Sequence, residues 1–199
     1  MNLSSRWCVT AVVALGALAC SDPVPPASQG AFIASVRSVS PAPVGKMCPS
    51  GAALTFDVPN INDTKPAEVL DGDTYLHKII DGEDTSTVNC SVKGKSTFTF
   101  GGRIALGPRA IEISNGTMGA NMKGTARITL TDSGMPGFSH ALSAPSVTSC
   151  TIDASAMTAS GFQVKAGSMW ASFSCSSVEA QPSDYCKADG FFVLENCSQ

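Results

Sequence analysis

Histidine is nearly missing: the 199 residues hold only His77 and His140. There is no His-Glu-x-x-His, no Cys-x-x-Cys, no Gly-x-Ser-x-Gly and no P-loop. The metalloprotease, zinc-site, α/β-hydrolase and phosphate-loop chemistries carried by those patterns are therefore not signalled. Ser139 and His140 adjoin, but neighbours in a strand point to opposite faces, so they do not form a working pair. Charge is sparse too, with 13 basic residues against 16 acidic ones, a balance unlike that of a nucleic-acid binder. No apolar run reaches the ~20 residues needed to cross a bilayer as a helix. Leucine is scarce and no segment sustains a helical period, whereas Ser, Thr and Gly abound; that bias favours strands and turns.

The N-terminus is MNLSSRWCVTAVVALGALAC. Arg6 gives a short positive start, and residues 7–20 are apolar apart from Thr10. This run is too short to span a membrane and fits the apolar region of a secretory signal. It ends in Ala17-Leu18-Ala19-Cys20, which resembles the lipobox of bacterial lipoproteins, with Ala17 where leucine is usual. The resemblance implies a signal peptide over 1–19, cleavage before Cys20 and diacylation of the Cys20 thiol. Two acyl chains anchor firmly where one binds marginally. An ordinary signal cut near Ala19, with Cys20 simply next, is the alternative. Ser21 follows the cysteine and Asp22 comes one place late for the aspartate of the inner-membrane retention pattern, so the resemblance favours the outer membrane.

Without its first 19 residues the chain loses Arg6, leaving twelve basic residues against sixteen acidic and a net charge of −4. Residues 20–47 contain SDPVPPASQG and SPAPVGK, which read as an extended proline-rich tether. AFIASVRSV between them alternates weakly and reads either as a first strand or as more tether. Residues 48–199 form the expected folded domain. Cys48, Cys90, Cys150, Cys175, Cys186 and Cys197 remain after Cys8 and Cys20 are set aside. Six cysteines in an exported chain read as three disulfides, with 15 formal pairings. The favoured pairing is Cys150–Cys175, followed by Cys186–Cys197 and Cys48–Cys90.

Strand after strand follows: 52–58, 74–80, 86–93, 96–100, 110–114, 125–131, 147–153, 162–166, 168–175 and 191–195, separated by Gly, Pro, Asp and Asn. A helical turn is expected only near 176–186. Short β-branched and aromatic runs at this spacing indicate an all-β fold, an antiparallel β-sandwich or flattened barrel. Alternation puts Cys90 on a face with Val88 and Val92, Cys150 with Ile152, and Cys175 with Ala171 and Phe173.

Eight of the sixteen acids lie in 57–84, opposed by Lys65 and Lys78. Calcium is one reading of DGDT and DGEDT, but EF-hand spacing is absent and Asp-Gly is an ordinary hairpin turn. No metal or other cofactor is expected. Residues 93–127 are the reverse: Lys93, Lys95, Arg103, Arg109, Lys123 and Arg127 against Glu112 alone. They read as outward positions of half-buried strands or, more sharply, as a patch for anionic lipid headgroups or cell-surface polysaccharide. Trp170 and Tyr185 read as groove lining or, for Trp170, as strand packing. Val88-Asn89-Cys90, FTFGG and MWASFSC together resemble small bacterial lipoprotein antigens over roughly 74–175, with four further cysteines outside that pattern. The expectation is a non-catalytic, lipid-anchored envelope module, meeting the membrane through its anchor and another envelope protein or a surface glycan as partner. The alternative is a carrier or sensor of an apolar or glycan ligand, held in a cavity lined by Phe98, Phe100, Ile128 and Phe173. An enzyme, the remaining class, would need His77 or His140 in a cleft beside an acid.

Overall fold

A computed structural model of the chain describes residues 25–48, 54–58, 68–70, 74–76, 78–133, 142–143, 149–155, 164–179 and 184–199. Its strands are β1 (Gln29–Ser38), β2 (Leu54–Val58), β3 (Glu68–Leu70), β4 (Thr74–Leu76), β5 (Ile79–Ile80), β6 (Thr87–Gly94), β7 (Phe98–Leu106), β8 (Arg109–Met118), β9 (Lys123–Asp132), β10 (Leu142–Ser143), β11 (Cys150–Asp153), β12 (Met169–Val178) and β13 (Cys186–Glu195). One antiparallel path runs β2-β1-β13-β12-β11-β9-β8-β7-β6, with β10 on β9 and β5 on β1, while β3 and β4 pair separately. The fold is thus all-β and antiparallel, as expected. It is one sheet rolled into a nearly closed barrel.

Alternation drives the rolling. In β6, Val88, Cys90 and Val92 are buried while Thr87, Asn89 and Lys93 face out. Phe32, Ala34 and Val36 of β1, Phe173 of β12, and Phe192 and Leu194 of β13 point into the same core as Phe100, Ile104 and Ile128. Phe192 lies 6.2 Å from Phe100 and 6.5 Å from Phe173, centroid to centroid. Each such ring or branched side chain contributes roughly 1.5–3 kcal/mol on leaving water. The sheet closes on itself where the chain beyond β13 reaches β6: Ser198 N donates to Cys90 O at 3.0 Å and Val92 N to Ser198 O at 3.0 Å.

Three disulfides staple this arrangement: Cys48–Cys186, Cys90–Cys197 and Cys150–Cys175. The expected Cys150–Cys175 bridge is present and ties β11 to β12, neighbours in the sheet. The Cys186–Cys197 and Cys48–Cys90 pairings are corrected. Cys186 and Cys197 sit at and just beyond opposite ends of β13, and an extended strand rising ~3.3 Å per residue holds them too far apart to bond.

Within the tether expected over 20–47, of which residues 20–24 lie outside the described part, AFIASVRSV takes its strand reading. Residues 29–38 form β1, hydrogen-bonded to β13 on one side and to β2 on the other. Alternation there is weak because both faces are covered: Ala31 and Phe32 are each 0% exposed. Residues 40–48 are fastened too, by the Cys48 bridge, by Lys46 to Glu179 at 3.2 Å, and by Tyr185 N donating to Met47 O. The helical turn near 176–186 is replaced by strand where the chain is described, since Val178 of β12 pairs with Cys186 of β13 and both are fully buried; residues 180–183 lie outside the described part. The strand expected over 162–166 reduces to a single bridge, Lys165 to Ser168, with 162–163 outside the described residues.

Two apparent turns lie within strands. Asn115-Gly116 is a bulge in β8 between Ser114 and Thr117, with Asn115 at φ 53°. The extra residue is absorbed without ending the strand. Gly116 is required by contact: a Cβ there would meet Phe100 O at 2.5 Å and the Phe100 ring at 2.6 Å. Gly101-Gly102 of β7 lies opposite this bulge and stays in unbroken register with β6, Gly101 beside Ser91 and Gly102 beside Cys90.

Candidate functional site

An open groove of about 750 Å³ lies on the outer face of β6–β9, beside the turns that join β6 to β7 and β8 to β9. Strand register builds it. Lys93 pairs with Thr99, Thr99 with Thr117, and Thr117 with Thr125. The next strands continue the row, Thr125 opposite Thr151 and Thr151 opposite Ser174. Outward threonines on adjacent strands fall roughly 5 Å apart. The result is a band of hydroxyls bordered by Lys93 and Lys123, with buried Phe98 and Met118 as its floor. Such a surface offers hydrogen bonds and positive charge. It carries no nucleophile–base pair.

The band ends in a charged knot. Asp189 accepts from Arg37 at 2.6 Å and from Ser174 Oγ at 2.6 Å, with Lys187 at 3.4 Å. Midway along, Asp153 stands 3.3 Å from Lys123. The Ser155 hydroxyl and then the Ser155 amide bond the Asp153 carboxylate, and with Lys123 alongside they hold it below its ordinary value of 3.8, against a smaller opposing effect of burial.

Half of the basic stretch is neutralised, Lys123 by Asp153 and two arginines besides. Arg103 lies 3.9 Å from Glu112 and Arg109 lies 3.2 Å from buried Asp132. Among the described residues, Lys93, Lys95, Arg127 and Lys165 make no ion pair. Lys165 was not legible as a member of this group, because 42 residues separate it from Lys123. The fold brings it in: Gly167 N donates to Val92 O at 2.8 Å, setting the Lys165–Ser168 turn beside Lys93.

Trp170 is strand packing. It is 3% exposed against Ala31 and Val193, and its indole N–H donates to Glu195 Oε1 at 2.7 Å. Lys78 bonds the other Glu195 oxygen at 2.7 Å and lies 5.7 Å from the Trp170 ring. Tyr185 carries Lys46 over its ring at 5.8 Å. Phe98, Phe100, Ile128 and Phe173 are all core residues, at 5% exposure or less. Asp81 accepts from Val88 N at 2.8 Å, so DGED is a turn that feeds β6. Among the described residues no cluster of His, Cys, Asp and Glu is arranged to hold a metal. Cys20, His77, Ser139 and His140 lie outside the described residues.

No family model, curated protein or solved structure matches this chain. The resemblances to the lipobox and to lipoprotein antigens rest on their own residues.

Proposed function

We propose that this is a bacterial cell-envelope lipoprotein, acylated at Cys20, whose β-barrel body is a non-catalytic interaction module. The observation that carries the reading is the conjunction of an export-type N-terminus ending in Ala-Leu-Ala-Cys with six paired, buried cysteines. Disulfides of this kind persist in oxidising compartments, so body and N-terminus point to the same side of the inner membrane. The outer membrane is the proposed destination, from Ser21 after the cysteine. Membrane attachment runs through the anchor; the hydroxyl band of Thr99, Thr117, Thr125 and Thr151 is the surface offered to an envelope protein or glycan.

A carrier of apolar ligands draws no support from the packing, since the side chains that would line its cavity fill the core. Fractionation tests the proposal. The intact chain should partition into the detergent phase and co-sediment with outer membrane, while Cys20→Ser should remain folded and move to the aqueous phase. Aqueous partitioning of both would sink it.

A further inference from the structure

We infer that the rim carrying Lys93, Lys95 and Lys165 is the face that the barrel turns toward anionic phospholipid. The inference deepens the anchored reading and relies on it for the tether at Cys20. Three observations converge on this rim.

The first is where the chain enters the barrel. Pro25 and Pro26 line one groove together with Lys165, Ala166 and Gly167. Pro25 lies five positions after Cys20, and a proline-containing segment of five residue steps reaches only about 15 Å. An acyl group on Cys20 therefore holds this rim within a short distance of the headgroups.

The second is continuity. The Lys165 turn is bonded to β6 through Gly167 N and Val92 O at 2.8 Å. Lys93 follows Val92 directly, and Lys95 stands in the turn between β6 and β7. All three lysines are exposed. The positive surface is thus one patch beside the entry point.

The third is charge balance. Most other basic side chains are spent on acids elsewhere, Arg37 on Asp189, Lys46 on Glu179, Lys78 on Glu195 and Lys123 on Asp153; among the described residues the one further unpaired cation, Arg127, stands alone on β9. Lys93, Lys95 and Lys165 make no ion pair among the described residues. The chain from Cys20 onward carries a net −4, so an anionic surface repels the body as a whole and attracts it at this rim. The attraction acts only within a Debye length, about 8 Å at physiological salt, a distance the short tether permits. Acyl chains supply the anchoring; the lysines supply the orientation.

The test uses the full chain from residue 20 with Cys20→Ser, so that no acyl group contributes. Sedimentation is measured with phosphatidylcholine vesicles, with and without about one-third phosphatidylglycerol. Each lysine at an anionic surface is worth about fivefold in partitioning. The chain should prefer the anionic vesicles and lose the preference at high salt. Adding Lys93→Gln, Lys95→Gln and Lys165→Gln should lower binding to the level of neutral vesicles without moving the melting temperature. A control with Lys46→Gln, Arg103→Gln and Lys187→Gln removes the same charge elsewhere and should keep the preference. Equal loss in both triple variants, or no preference for anionic vesicles, overturns the inference. The mass of the wild-type protein reports Cys20 acylation separately. An unacylated Cys20 with lysine-dependent binding would remove the anchor and leave the lipid-facing rim standing.

Discussion

Breaking the Cys90–Cys197 bridge is the sharpest perturbation of the closed barrel. The two cysteines are separated by 107 residues, but Cys48–Cys186 shortens the covalent circuit in the unfolded chain. The route from Cys90 back to Cys48, across that bridge and on from Cys186 to Cys197 covers about 53 residues, and constraining a loop of that size is worth about 4 kcal/mol. The 25-residue loop of Cys150–Cys175 comes to about 3.5 kcal/mol on the same reasoning. Replacing Cys90 and Cys197 by alanine should therefore lower the urea-derived stability by about 4 kcal/mol and the melting temperature by on the order of ten degrees. Amide exchange should rise at Val92 and Ser198, whose backbone bonds join β6 to the chain end. A loss under about 1 kcal/mol would refute the reasoning. It would mean that the Ser91–Ser198 pairing and the core hold β6 in place without the covalent link. Peptide mapping of the wild type checks the premise, since a Cys186–Cys197 fragment would contradict the register of β13.

Glu195→Ala removes a carboxylate acceptor of both the Trp170 indole and Lys78; losing hydrogen bonds to a charged group should cost about 2–3 kcal/mol. Trp170 is the only tryptophan after residue 19, so its fluorescence reports the change directly. Gly190→Ala should cost roughly 1–3 kcal/mol in thermal denaturation, because a Cβ there would meet Ile33 O at 2.0 Å across the β1–β13 pair. Gly107→Ala meets nothing within 4 Å and bears only the strain of φ +57°, about 1–2 kcal/mol. Ser155→Ala should raise the Asp153 pKa toward 3.8, as read by carboxyl NMR titration. Because the folded value is depressed, the stability from Asp153 is present above its unfolded value and fades as pH falls through the folded one.

The face assignments of the strands were legible from alternation: Val88, Cys90 and Val92 share the core, as do Cys150 with Ile152 and Cys175 with Phe173. Strand ends were less so. FTF and GGRIAL join into one β7 because Gly101 and Gly102 keep regular pairing with Ser91 and Cys90 of β6, although their composition reads as a turn. β1 was legible only as one of two readings: Phe32, Ala34 and Val36 alternate with half-buried Ile33 and Ser35, but Gly30 and Ala31 are buried as well and blur the period. The long-range disulfides were hidden too. Which cysteines meet depends on strand order, and β1, the first strand, lies against β13, the last. For the candidate site, the basic character of 93–127 was visible, but its sorting was not. Arg103, Arg109 and Lys123 meet acids through register, and Lys165 joins Lys93 only through the Gly167–Val92 bond.

The central claim is an exported chain anchored at Cys20 and closed by three bridges. Intact mass of the membrane-extracted protein, with and without reduction and beside Cys20→Ser, tests it most directly. The account predicts a polypeptide beginning at Cys20 with added acyl mass, gaining two hydrogens on reduction for each of the three bridges, and no acyl mass in the variant. An unacylated wild type cleaved elsewhere, or one whose mass reduction leaves unchanged, would contradict it.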